Sequence, residues 1–171
     1  LRSLMDRHKD FWKITEDSLD KSMKSFQIHS SMRDELLNLY KVLSPFKEVH
    51  ETLKTLKEKK FKLAILSNGT PSLLNELVKS NNLENLFDDI FSIEEVGVYK
   101  PNSKVYDIPI KKYKIEKNEV AFLSANTWDV SGGGNYGYQS VWVNRNNNIF
   151  DNLDFKPNFE IKDLSGLLNR F

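Results

Sequence analysis

The sequence predicts an α/β fold built on a parallel sheet and preceded by a small all-helical unit. Three observations carry this. Short apolar runs at 61–66, 90–92, 119–123 and 140–143 have the character of buried parallel strands. Amphipathic helical patterns separate them, and residues 1–44 show helical spacing without any strand pattern. Strands and helices alternating in this way specify a parallel sheet with right-handed crossovers.

In chain order, Leu1, Leu4, Met5, His8 and Trp12 fall at helical spacing with no residue ahead of Leu1 to cap them, as in a chain that begins partway through a longer one. Thr15 can cap a second helix, with Glu16 and Asp17 near its positive end and Leu19, Met23 and Phe26 along one face. Leu36, Leu37, Leu39, Tyr40 and Leu43 suggest a third, ending near Ser44–Pro45. A helix carrying Val49, Leu53 and Leu56 then leads into the 61–66 strand. Thr70 and Pro71 supply an N-cap and first helical residue for the next helix, with Leu73, Leu74, Leu77 and Val78 facing inward. Helices are expected over 103–113 and 163–171.

Composition narrows the function classes. The formal net charge is +1, with lysines interleaved among acids, so no global field favours nucleic acid or membrane as partner. There is no cysteine, which excludes disulfides, thiolate metal ligands and cysteine nucleophiles and suits a cytoplasmic location. No apolar run reaches the roughly 20 residues of a membrane span, and no signal peptide is evident.

In sheets of this type ligands sit beyond the carboxyl ends of the strands, and three polar clusters lie there. Ser67–Asn68–Gly69 offers a hydroxyl, an amide and free backbone N–H groups to an anion. Lys100, held by Pro101 in Val98–Tyr99–Lys100–Pro101, can project one positive charge into the cleft. Ser124–Ala125–Asn126–Thr127–Trp128–Asp129 places polar and aromatic groups in six consecutive positions. Taken singly, each also suits an ordinary turn, a surface lysine or a capped helix start.

In this order, one at each successive strand end, the three clusters resemble the haloacid dehalogenase superfamily and, more narrowly, its L-2-haloacid dehalogenase branch. The resemblance extends to Leu1–Arg2–Ser3–Leu4–Met5, Phe11, Thr15–Glu16–Asp17, Pro45–Phe46 and Val141–Trp142–Val143–Asn144–Arg145. It implies a Rossmann-like core over 45–171, a helical cap over 1–44, and a small 2-haloacid as substrate. It also implies a possible homodimer, no cofactor and no metal.

In that family an aspartate displaces halide from the carbon and water hydrolyses the resulting ester, so an L-2-haloacid yields a D-2-hydroxyacid. By resemblance, Ser67 and Asn68 would hold the substrate carboxylate, and Asn68 would also lie near the departing halide. Lys100 would hold the nucleophile ionised and aimed. Tyr106, Ser124, Asn126 and Asp129 would support the lysine, the aspartate and the hydrolytic water. Phe11 and Trp128 would wall the carbon centre from water. Superfamily phosphatases carry acids after this later strand to hold Mg²⁺. Here Ser124 replaces the first of them, leaving Asp129, which favours dehalogenase over phosphatase.

Residues 1–171 contain no Asp–x–Tyr–Gly–Thr segment, the family's nucleophile strand, and Asp10 lies in a helical pattern instead. The resemblance places that strand between those ending at Leu66 and Leu123, so these two are expected either to pair directly or to leave two free edges. The family's halide-binding arginine would fall upstream of Leu1, and Arg2 matches a different position. The chain is therefore expected to be a truncated copy, inactive alone. Two further departures hint at relaxed constraint. Pro109 inside a helix costs about 3 kcal/mol, and Gly132–Gly133–Gly134 costs about 1 kcal/mol per glycine relative to alanine. A non-catalytic remnant that binds small carboxylates or another protein is the competing reading.

Overall fold

The computed structural model describes residues 1–170. Its elements are α1 (Phe11–Ser25), α2 (Arg33–Leu39), α3 (Val49–Glu58), β1 (Ala64–Ser67), α4 (Pro71–Ser80), β2 (Asp89–Ser92), α5 (Ser103–Tyr113), β3 (Ala121–Ser124), α6 (Thr127–Tyr136), β4 (Gln139–Val143) and β5 (Phe159–Ile161), with short 3₁₀ turns between them. The fold is α/β, with all strand pairings parallel. Among the described residues no helix is long and apolar enough to cross a membrane.

The strands form two ladders, β1–β2 and β3–β4–β5. β1 and β3 do not pair, so each presents one free edge among the described residues. Side chains join what the ladders do not. Leu53 and Leu56 of α3 serve different clusters: Leu53 packs with Val78 and Leu83, and Leu56 with Val141, Val143, Ile161 and Leu167. Leu66 of β1 packs both on the Phe91–Ile93–Val105–Ile108 cluster and on the Tyr106–Phe122–Tyr138 cluster. α5 likewise faces two ways, since Val105 and Ile108 enter one cluster and Tyr106 the other. Burying these apolar surfaces is the main driving force for assembly.

Several sequence expectations are corrected. Residues 1–12 are not one helix: Arg2–Met5 is a 3₁₀ turn, and α1 begins at Phe11. Its cap is Asp10, whose carboxylate accepts from the Lys13 N–H at 2.8 Å. Thr15 lies inside α1, buried, and its hydroxyl donates back to the Phe11 carbonyl at 2.9 Å, an outlet open to any helical threonine. α2 stops at Leu39, before Ser44. β1 starts at Ala64, three residues later than the apolar run suggested. β5 was not expected. The closing helix is a continuous 3₁₀ segment, Leu164–Asn169; Phe171, its expected end, lies outside the described residues.

α4 and α5 match expectation. Thr70 caps α4 by accepting from the Leu73 N–H at 3.4 Å, and α5 runs unbroken through Pro109. The glycine run also stays helical, inside α6, which ends at Gly137 with φ +117°. Its glycines are not slack. A Cβ on Gly133 would lie 2.5 Å from the Phe122 ring, and one on Gly134 would lie 1.9 Å from that of Phe155. The helix sits too close to its neighbours for side chains at these positions, which offsets its low intrinsic propensity.

Candidate functional site

Lys100 meets the carboxyl end of β1 and the first turn of α6, the helix that follows β3. Its ammonium donates to the Leu66 carbonyl at 2.8 Å and to Asp129 Oδ2 at 3.1 Å. It also lies 4.9 Å from the centre of the Phe122 ring, a favourable placement for a cation. Lys100 thus links β1 of one ladder with Phe122 of β3 and Asp129 of α6 on the side of the other. Both members of the Lys100–Asp129 pair are 7 % exposed at their side chains. Burial holds the Lys100 ammonium below the ordinary lysine range, and Asp129 partly counters this by its charge and hydrogen bond.

Asp129 is held from the other side by Tyr106, whose phenol donates to Oδ1 at 2.8 Å. Tyr106 is fully buried, and burial followed by the Asp129 charge pushes its phenol well above the usual range. Its ring packs edge-on against Phe122 and Tyr138 at 5.5 and 6.1 Å, pairs worth about 0.5–1.5 kcal/mol each beyond their area. The Tyr138 hydroxyl donates to the Tyr106 carbonyl. Both carboxylate oxygens of Asp129 therefore carry partners.

The Ser67–Gly69 turn lies on the β1 side. Ser67 Oγ accepts from the Gly69 N–H at 3.1 Å, and the buried Ser92 hydroxyl donates to the Gly69 carbonyl at 2.7 Å. Asn68 Oδ1 accepts from the Lys100 backbone N–H at 3.2 Å, which ties the turn to the lysine segment. The Lys100–Pro101 peptide is cis.

The remaining expected residues are less closely joined. Ser124 Oγ accepts from the Asn126 N–H at 3.2 Å, which sets the turn from β3 into α6. Asn126 and Trp128 line a cleft of about 630 Å³ shared with Trp142 and Ile149, and Trp128 is 38 % exposed. Phe11 is the first residue of α1. Its neighbourhood is fixed by Tyr99, whose hydroxyl donates to the Lys9 carbonyl at 2.8 Å. The structure therefore brings Lys100, Asp129, Tyr106 and Asn68 together through hydrogen bonds, while Ser67, Ser124, Asn126, Trp128 and Phe11 stand at the adjoining strand and helix ends. Among the described residues no three His, Cys, Asp or Glu side chains are grouped to hold a metal.

Sequence reasoning overlooked two joints. Tyr99, next to Lys100, anchors the start of α1; burial and the nearby Glu94 charge push its phenol up to about 12. Nearby, His8 Nε2 and Glu94 Oε2 lie 2.9 Å apart, and the far end of the helical segment returns where Asn81 donates to the Leu43 carbonyl at 2.9 Å. Only the aromatic before Lys-Pro could have signalled the first of these.

The family is shown by comparison with known proteins. A haloacid dehalogenase-like hydrolase family model matches residues 6–143. The chain is 34 % identical to the (S)-2-haloacid dehalogenase of Pseudomonas sp. (strain YL), a match covering all of this chain and 75 % of that protein. It superposes on a dehalogenase crystal structure with a TM-score of 0.96 at 30 % identity, covering 99 % of this chain and 76 % of the other. For the L-2-haloacid dehalogenase of Xanthobacter autotrophicus the TM-score is 0.91 at 26 % identity, covering 98 % and 78 %. The chain belongs to the haloacid dehalogenase-like hydrolase family and is similar to its L-2-haloacid dehalogenase branch.

Proposed function

We propose that this chain carries the substrate-orienting part of an (S)-2-haloacid dehalogenase, which converts short L-2-haloacids to D-2-hydroxyacids. The observation that carries the reading is the buried Lys100 ammonium, held between the Leu66 carbonyl of β1 and Asp129 at the start of α6. Two of its three N–H donors serve Leu66 and Asp129, which leaves one for an incoming carboxylate. Ser67 and Asn68 sit on the same turn to receive the substrate's own carboxylate, and Trp128 and Phe11 supply apolar surface near the carbon centre. The helical segment 1–44, anchored at Lys9 and Leu43, acts as a cap on the 45–171 core.

In the reaction a carboxylate oxygen attacks C2 opposite the halogen, the carbon–halogen bond breaks, and halide leaves with the electron pair. Water then adds to the ester carbonyl, the acyl C–O bond breaks, and the inverted hydroxyacid is released. Asp129 is unsuited to the first step because Lys100 and Tyr106 occupy both of its oxygens. The resemblance assigns the attacking carboxylate to an Asp–x–Tyr–Gly–Thr strand, a segment that residues 1–171 do not contain, and the role proposed for residues 1–171 is to bind and orient the haloacid.

Titration calorimetry with L-2-chloropropionate tests this. The chain is expected to bind it and Lys100→Met to lose binding; absence of binding to the unaltered chain overturns the reading. A second reading, binding of small carboxylates without displacement, rests on the same engaged Asp129 and gains if binding occurs but halide never appears in any form of the protein.

A further inference from the structure

Gly132 stands one turn beyond Asp129 on α6, on a side that faces both partners of that aspartate. A Cβ built at Gly132 would lie 2.4 Å from the Tyr106 hydroxyl oxygen and 2.6 Å from Cβ of Pro101. Real Cβ atoms do not approach this closely, so something would have to move. Neither neighbour is a flexible side-chain end: Pro101 is exposed, but its ring is fixed to the backbone. Tyr106 is fully buried and its hydroxyl is the group that donates to Asp129 Oδ1. Pro101 is bonded to Lys100, so displacing its ring displaces the backbone that aims the ammonium at Oδ2.

We propose that Gly132 is a positioning residue for the Lys100–Asp129–Tyr106 network. Its missing side chain lets α6 approach α5 and the Lys100–Pro101 segment closely enough for Asp129 to reach both partners. This rests on the network belonging to the proposed dehalogenase site, but the geometric claim concerns the network itself. Gly134 provides an internal contrast. Its Cβ would strike Phe155 at 1.9 Å, on the segment between β4 and β5, and its three nearest atoms all belong to that ring rather than to the network. Gly133 is a poorer control, because its neighbour Phe122 lies beneath the Lys100 ammonium.

The test follows the Lys100 ammonium directly, by NMR of the ¹⁵N-lysine-labelled chain with its signal assigned through Lys100→Met. Gly132→Ala is expected to lower the Lys100 titration midpoint below that of the unaltered chain. The added methyl pulls the lysine from Asp129, whose charge and hydrogen bond are what oppose the effect of burial. Gly134→Ala is expected to lower the melting temperature while leaving that midpoint in place. An unchanged midpoint in Gly132→Ala, or an equal shift in Gly134→Ala, overturns the proposal.

If Gly132→Ala does not fold, the comparison is made in a Tyr106→Phe background, which removes the oxygen at 2.4 Å and leaves the Pro101 contact. The midpoint must then still fall on adding Gly132→Ala, and a constant one overturns the proposal. Affinity for L-2-chloropropionate is measured on the same samples, with a loss of about tenfold expected for Gly132→Ala, or about 1.4 kcal/mol. A shifted midpoint with no affinity in any variant, the unaltered chain included, leaves the positioning role standing and removes the haloacid reading instead.

Discussion

Replacing Asp129 by Asn keeps the shape of the side chain and removes its charge, which isolates what the buried pair contributes. The Lys100 ammonium, 7 % exposed at its side chain, would then face a neutral amide 3.1 Å away and the Leu66 carbonyl at 2.8 Å. Removing one partner of a buried ion pair costs about 3–5 kcal/mol, because the other charge is left uncompensated. The amide oxygen can still accept hydrogen bonds, so the lower end applies, about 3 kcal/mol. For a chain of this size that corresponds to a fall in melting temperature of about 6–12 °C near neutral pH.

The cost must also depend on pH. Burial already holds the Lys100 ammonium below the ordinary lysine range, and Asp129 supplies the influences that raise it. Without Asp129 the lysine sheds its proton at lower pH in the folded state, whereas the unfolded lysine keeps its own to about 10.5. Between those values the unfolded state binds more protons, so the variant regains stability as pH rises. The gap between the two proteins should narrow from pH 7 to pH 10, read by thermal melts monitored by circular dichroism. Adding Lys100→Met to Asp129→Asn should cost less than the two single changes summed, by at least about 1 kcal/mol. A pH-independent gap with additive single effects would refute the coupling.

Two further predictions follow from burial and capping. Burial raises the phenols of Tyr106 and Tyr138 above their ordinary value of 10.0. Their contribution is complete below that value and is lost as pH rises, at about 1.4 kcal/mol per pH unit for each tyrosine. Alkaline unfolding followed by tyrosine absorbance should therefore begin earlier in the chain than in Tyr138→Phe scaled to equal neutral stability. A common onset would refute this. Asp10→Ala should destabilise by about 1 kcal/mol through loss of the α1 cap, whereas Thr15→Val, a same-sized change that removes a donor from a carbonyl inside the helix, should cost less than that. Urea melts giving the reverse order would restore Thr15 as the helix start.

The parts of the fold that could be read in the sequence are those whose signal is local. The buried strands show as apolar runs, and Thr70–Pro71 and 103–113 carry their helix boundaries in their own residues. Asp10 and Thr15 can each cap a helix, and the choice depends on Lys13 meeting Asp10, which no pattern states. β5 has three residues, and its partner β4 lies across an asparagine-rich loop, so pairing rather than propensity defines it.

At the site, the resemblance carried by the three strand-end clusters implied a shared role for Lys100, Asp129 and Asn68, and hydrogen bonds join the three. The role of Leu66 was not legible, because it uses a backbone carbonyl. Gly132–Gly133–Gly134 looked like a weak helix for a similar reason. Propensity counts what a residue lacks, whereas the contacts at Tyr106, Phe122 and Phe155 depend on that lack.

The central claim is that Lys100 and its partners orient a haloacid for displacement by a carboxylate from outside residues 1–171. Its most direct test is halide release from L-2-chloropropionate at neutral pH without added metal. Three proteins are compared: the chain, the chain with an Asp–x–Tyr–Gly–Thr strand placed ahead of Leu1, and that longer form with Lys100→Met. The account predicts halide from the longer form and none from the other two. Halide from the chain alone, or from the Lys100→Met form at the unaltered rate, would contradict it.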